Sequence, residues 1–305
     1  MDFKIPDRLE IREKVLSSIS QYRLIDNEFM RAFFEDYECT AELLRIILNK
    51  KVNVLKVTME GVLNVTLSRS VRLDILVIDE EGKVYNIEIQ RADSGASPKR
   101  ARLNSAVVDS KMLNSGEKFN VLPDTYVIFI TEGNPLKGDK ALYHIERRIE
   151  EDGRPFGDGS HIIYFSLSAA ADGELADLQH DFYCTEPSEM KNSILAKRAD
   201  DLKNTEKGVN KMSEVMEELI KEVSLKQQKE IEEIRLKAEL EKARADAAEE
   251  KIRAAERERE REKAEAEEKV LNYQRAFKLS NDMRRMGIPE SEISRTIEET
   301  FGIAA

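Results

Sequence analysis

The chain has 305 residues, 36% of them charged and 41% hydrophobic, with a formal net charge of −11, and acidic residues outnumber basic ones both before and after residue 200. This balance argues against a broadly basic nucleic-acid binder, although a local cationic patch can still engage phosphates. Cys39 and Cys184 make neither a disulfide framework nor a ligand cluster, no run nears the roughly 20 apolar residues of a membrane span, and the start, MDFKIPDRLEIREK, lacks the apolar core of a signal peptide, so the expectation is a soluble cytoplasmic protein.

Six of the seven prolines precede residue 200, whereas 205–270 has no proline and no aromatic residue, and Gly208 as its single glycine. That contrast predicts an N-terminal domain over 1–204, a long charged helix or coiled coil over 205–271 and a small helical hairpin over 272–305. In the first of these, Phe29–Lys50 carries apolar residues at helical spacing with a break between Asp36 and Thr40. Thr40 suits the start of the second helix, with Leu43, Leu44, Ile46 and Ile47 on its buried face. Val52–Glu60 and Val62–Ser68 read as strands on either side of Gly61.

Next come two apolar runs, VRLDILVID (Val71–Asp79) and KVYNIEIQ (Lys83–Gln90), joined by Glu80-Glu81-Gly82. Three loop residues ending in glycine suit a type I turn with a left-handed glycine bulge, which sets Asp79 opposite Lys83 and, counting back, Asp74 opposite Glu88. Alternation then projects Asp74, Glu88 and Gln90 from one face, and directly opposed β-carbons lie only about 4.5–5.5 Å apart, close enough for two carboxylates to hold one divalent ion. Acidic residues on hairpins more often face solvent, and a D…ExQ spacing arises by chance. The setting favours the metal: Asp74 lies inside LDILVI and Glu88 between Ile87 and Ile89, as in a covered sheet, where a carboxylate needs a partner.

Beyond the hairpin, Pro98 suits the first turn of a helix running to about Leu113, and Thr125–Thr131 is a strand of the kind buried on both faces. Lys99, Arg100 and Arg102 open that helix, where they can meet phosphates beside its positive end or form an ordinary solvated basic turn. Ala141–Asp152 fits strand or helix, Gly153–Ser160 is a loop, His161–Ser168 is a strand, and 175–204 completes an α/β domain with a mixed sheet. His144, His161 and His180 lack ligand spacing.

The tail predicts a helix from about Asn210 to Tyr273. Ile231, Ile234, Ala238, Ala245, Ala248, Ile252 and Ala255 fit a heptad that Glu241 and Arg259 interrupt, and Glu233–Lys237, Glu249–Arg253 and Glu265–Lys269 have i,i+4 spacing. A homodimeric coiled coil and a solitary charged helix both suit this pattern. Asn272–Gly287 and Ile288–Gly302 read as two short helices around Gly287.

Several blocks in order, RLDILVIDEEGKVYNIEIQRAD from Arg72, KRARLNSAVVDSKMLNSGE from Lys99, YVIFITEGN from Tyr126 and PFGDGSHIIY from Pro155, resemble the PD-(D/E)XK nuclease family transposases, a group related to the Rpn recombination-promoting nucleases. The resemblance, over roughly residues 23–223, implies a restriction-endonuclease-like mixed sheet flanked by helices. It further implies magnesium-dependent cleavage of DNA phosphodiesters, with manganese as a substitute ion. By that match Asp74 and Glu88 bind the metal and Gln90 stands where the motif has lysine. Many nucleases of this fold draw a further carboxylate from an N-terminal helix, for which Asp26 and Glu28 are the candidates; helix capping is the other reading of Asp26. A catalytically weak DNA-binding or scaffolding protein that self-associates through its tail is the competing expectation.

Overall fold

In the computed structural model, which describes residues 6–66, 69–91 and 93–303, helix α1 (Arg8–Ser18) starts at a capping box. Asp7 Oδ1 accepts from the backbone N–H groups of Leu9 and Glu10 at 2.9 Å, while Asp7 N donates to Glu10 Oε2 at 3.1 Å. The expected break separates α2 (Asn27–Phe34) from α3 (Tyr37–Leu48), but the second helix begins earlier than Thr40. Asp36 is its cap, accepting from Cys39 N at 3.0 Å, and Thr40 instead donates its hydroxyl to Phe34 O at 2.6 Å, tying the two helices together.

Gly61 does not interrupt the first strand, as the sequence suggested. Strand β1 (Val54–Thr66) runs straight through it, because β2 (Arg69–Asp79) offers a full antiparallel partner in which Gly61 pairs with Leu73. Leu67 and Ser68, the end of the second expected strand, lie outside the described residues. β3 (Val84–Gln90) leads through α4 (Pro98–Met112) to β4 (Thr125–Thr131), its parallel neighbour. Of Ala141–Asp152 only β5 (Leu142–Ile145) is strand, paired antiparallel with β6 (Ser160–Ser166), and the sheet order is β1-β2-β3-β4-β6-β5. The sheet thus has six strands, and it is the mixed sheet flanked by helices that the sequence led us to expect.

Helices cover both sheet faces. On one, Ile75, Val77, Ile87, Ile128 and Phe165 pack with Phe29, Phe33 and Phe34 of α2, with α3 and with α5 (Gly173–Tyr183) and α6 (Ser193–Asn204). On the other, Ala101, Val107 and Val108 of α4 meet Val84, Val127, Phe129 and Tyr164. Lys203, buried near the end of α6, donates to the carbonyls of Ser20, Tyr22 and Thr185, which the adjoining turns leave without helix or strand partners.

The chain packs as two units, Met1–Leu225 and Lys226–Ala305. Val209, Met212, Val215 and Met216, on the first turns of α7 (Glu206–Arg285), belong to the main core of the first unit. Arg31–Glu222 (3.0 Å) and Lys211–Glu35 ion pairs fasten the same segment to α2 and the residue that follows it. Gly208 is what lets α7 start so close to α6: a β-carbon there would lie 2.2 Å from the Asp201 carbonyl oxygen and 2.4 Å from that of Leu202.

In the second unit, the two expected short helices are the end of α7 and α8 (Glu290–Phe301). Gly287, at φ +78°, stops α7 with the paired bonds Ile288 N to Met283 O (3.2 Å) and Gly287 N to Arg284 O (3.1 Å). Ala276, Met283, Ile293 and Ile297 close a small core. Every residue from 225 to 271 is exposed. Of the three expected helix pairs Glu249–Arg253 is present at 3.5 Å, whereas Glu265 turns back to Arg261 at 3.1 Å.

Because the obstructing atoms at Gly208 are backbone, Gly208→Ala is expected to cost about 1–3 kcal/mol of stability. Urea denaturation followed by circular dichroism checks this, with unchanged helix content in the native baseline.

Candidate functional site

The β2–β3 turn fixes what stands opposite what. Gly82, at φ +80°, completes it with Gly82 N donating to Asp79 O at 3.0 Å, and Asp79 N donates to Lys83 O at 3.1 Å. The buried Asp79 side chain braces the turn, accepting from Glu81 N (2.9 Å), Lys83 N (2.8 Å) and the Tyr85 hydroxyl (2.7 Å). Burial and this carboxylate hold the Tyr85 phenol well above its usual range. From there Val77 pairs with Tyr85 and Ile75 with Ile87, so one step further Asp74 meets Glu88.

At that step side chains replace backbone in the ladder. Asp74 N donates to Glu88 Oε1 at 3.3 Å, while Asp74 Oδ2 accepts from Ile89 N at 3.1 Å and from Gln90 Nε2 at 3.3 Å. The structure thus brings Asp74, Glu88 and Gln90 together. Glu88 is fully buried, and Asn86 Nδ2 donates to its Oε1 at 3.0 Å. Asn86 in turn accepts from Asn104 Nδ2 at 3.2 Å.

Arg100 completes the network from α4. That helix starts at Ser97, whose Oγ accepts from Arg100 N at 3.3 Å, with Pro98 in its first turn. Arg100 Nη2 donates to Glu88 Oε2 at 2.7 Å, and Nη1 to Gln90 Oε1 at 3.2 Å and Gly95 O at 2.8 Å. The guanidinium lies 6.0 Å from the centre of the Phe129 ring. Gly95 makes room for this arrangement, since a β-carbon there would sit 2.2 Å from Gln90 Oε1.

Of the three basic residues expected to meet phosphates, then, Arg100 is engaged by the acids, while Lys99 and Arg102 are exposed. Sequence reading missed Asn86 and Asn104. Their signal was present: Asn86, Glu88 and Gln90 alternate along one strand, and Arg100 and Asn104 share one helix face at i,i+4.

Burial pushes the Glu88 carboxyl up to about 7, and the neighbouring Asp74 charge adds to the rise, against the opposing pull of Asn86 and Arg100. Two crowded acids of which one is wholly buried suit a divalent cation, which removes their repulsion. With two protein carboxylates as donors, the set suits a small ion that keeps several waters.

Asp26 and Glu28 do not join this pair. Asp26 stands at the cap position of α2 but makes no capping bond. Its carboxylate accepts from Arg23 N at 2.9 Å and pairs with the Arg23 (3.1 Å) and Arg91 (3.4 Å) guanidinium groups. Glu28 is half-buried in the first turn of α2. Among the described residues no group of three or more His, Cys, Asp and Glu gathers as a metal site. His161 stacks on Tyr126 at 4.6 Å between ring centres, and His180 lies 3.2 Å from Asp181.

The model of the PD-(D/E)XK nuclease family transposases matches residues 24–286. No curated protein and no solved structure matches the chain.

The raised Glu88 pKa predicts a pH signature in metal-free protein. The folded chain holds this proton more tightly than the unfolded chain does, so the stability it contributes is fully present below about pH 4.5 and is lost as pH rises through about 7. Glu88→Gln has no such loss. In EDTA, its melting temperature minus that of the wild type is expected to be more positive at pH 8 than at pH 5 by several degrees, measured by scanning calorimetry.

Proposed function

Because this chain belongs to the PD-(D/E)XK nuclease family transposases, we propose that it is a metal-dependent DNA endonuclease acting in transposition or recombination, with Asp74, Glu88 and Gln90 at its centre. The family supports a nuclease-like, transposition-associated function on DNA, and its nucleases generally use divalent metals. The observation that carries the finer reading is the convergence of Asp74, Glu88 and Gln90 on one polar network at the β2–β3 step.

Asp74 and Glu88 would hold the ion, magnesium with manganese as substitute. When bound, it polarises the scissile phosphate, lowers the pKa of a water and counters transition-state charge. Asn86 and the Asp74 backbone N–H orient Glu88 through Oε1, and Arg100 holds Oε2. Gln90 donates one amide hydrogen to Asp74 and keeps a second with which to orient water. It has no positive charge to offer. Exposed Lys99 and Arg102, on the first turns of α4, bind DNA phosphates in this reading.

We further propose that the tail self-associates. Ile231, Ile234 and Ile252 of the interrupted heptad are 65%, 67% and 59% exposed, a load of apolar surface on a long helix that a second copy would cover. Among the described residues no helix is long and apolar enough to cross a membrane, and a cytoplasmic location belongs to the proposal.

Purified protein with magnesium is expected to nick supercoiled plasmid, and Asp74→Ala and Glu88→Ala to slow nicking by at least about 100-fold. Equal nicking by the variants would remove this centre; DNA retention without nicking by the wild type would favour the weakly catalytic DNA binder, as the neutral Gln90 does. For the tail, light scattering should give twice the monomer mass for the whole chain and the monomer mass for a chain ending at Leu225.

A further inference from the structure

We propose that Arg100 is the positioning residue that carries the fixed positive charge of this centre, sharing Glu88 Oε2 with the divalent ion and orienting both Glu88 and Gln90. The inference rests on the nuclease reading and extends it to a residue on a different element from the acids.

Several observations point this way. Gln90 is neutral, yet its Oε1 accepts from Arg100 Nη1 at 3.2 Å, so a guanidinium lies one hydrogen bond away from the position that lacks a charge. The other nitrogen, Nη2, is 2.7 Å from Oε2 of a carboxylate with no exposure, the short contact of a charge-assisted bond. A guanidinium stays charged at all working pH and binds through a planar fork, so it fixes the direction of both acceptors at once.

The placement is also built rather than incidental. Gly95 O receives a third bond at 2.8 Å, the Phe129 ring lies 6.0 Å away, and a β-carbon at Gly95 would sit 3.5 Å from Nη1 as well as 2.2 Å from Gln90 Oε1. Lys99 and Arg102, its basic neighbours on α4, are exposed, so the helix turns one cation inward and two outward. One third of the Arg100 side chain remains exposed, enough to adjust as an ion and a phosphate arrive.

An arginine that only braces the fold predicts that its loss weakens metal binding and cleavage together. An arginine that shares Glu88 with the ion predicts opposite signs, because removing a like charge favours the cation while disordering the acids that act on the substrate. Mn2+ binding to the full chain, without DNA, is measured by titration calorimetry at pH 8 alongside plasmid nicking. Arg100→Gln is expected to bind Mn2+ at least about 3-fold tighter and to nick roughly 10- to 100-fold more slowly. Arg100→Lys, which keeps the charge but not the fork, is expected to show wild-type Mn2+ affinity and to nick at a rate between those of the wild type and Arg100→Gln.

Unchanged or weaker Mn2+ binding by Arg100→Gln overturns the shared-charge assignment, and so does an Arg100→Lys variant as slow as Arg100→Gln. If Arg100→Gln does not fold by circular dichroism, Arg100→Lys decides alone, and loss of its nicking or a shift in its Mn2+ affinity counts against the proposal. If wild-type protein binds Mn2+ through Asp74 and Glu88 but never nicks, the nuclease reading fails while the affinity comparison still decides Arg100. If it binds no Mn2+, both fall.

Discussion

Burying the Glu88 carboxylate is the constraint around which this sheet and its crossover helix are arranged. An ionised carboxylate removed from water costs several kcal/mol unless hydrogen bonds and opposite charge replace the lost solvation. The replacements come from three elements: Asp74 N on β2, Asn86 on β3 and Arg100 on α4. Each demands something of the chain. The β2–β3 register must hold to the residue, which the Asp79-braced turn secures, and α4 must arrive with Arg100 and Asn104 toward the sheet. Gly95 leaves the gap in which Gln90 and Arg100 meet. Even so the balance is incomplete, since burial and the Asp74 charge still raise the Glu88 pKa.

The parts that sequence reading captured are those governed by short-range rules. The hairpin register follows from three loop residues that end in glycine, and α4 and β4 from a proline, a capping serine and an apolar run. Readings failed where the deciding partner is remote. Gly61 looked like a break because only its pairing with Leu73 shows that it can stay extended. Thr40 looked like a cap because its bond to Phe34 O is a helix-to-helix contact. That the first unit runs to Leu225 is invisible locally, because Val209, Met212, Val215 and Met216 acquire their meaning only from the core they enter. Arg100 read as one of three equivalent cations; only the crossover from β3 decides which of them faces the acids.

Local chemistry also separates the two halves of α7. Its first turns carry valine and methionine at helical spacing against the core, while 225–271 keeps isolated apolar residues among charges that pair along the helix, as in Arg235–Glu239 and Lys263–Glu267. Pairs of this kind contribute only about 0.3–0.5 kcal/mol each. They maintain a helix without specifying a partner surface. The Gly287 stop and the small core beyond it end the helix with conventional packing.

The Lys203 clamp has a consequence for how the protein is made. Its ammonium joins Ser20 and Tyr22, near the start of the chain, to Thr185 and the end of α6, and Arg12 reaches Glu206 at 3.7 Å. The early helices therefore have no completed berth while the sheet is being synthesised, since the segment that seals them arrives more than 180 residues later. A nascent chain holding Asp74, Glu88 and Arg100 still lacks the first turns of α7. The nuclease-like unit can reach its finished form only after that helix has begun to emerge from the ribosome, so synthesis itself sets the earliest moment at which the Asp74–Glu88–Arg100 network sits in a completed fold.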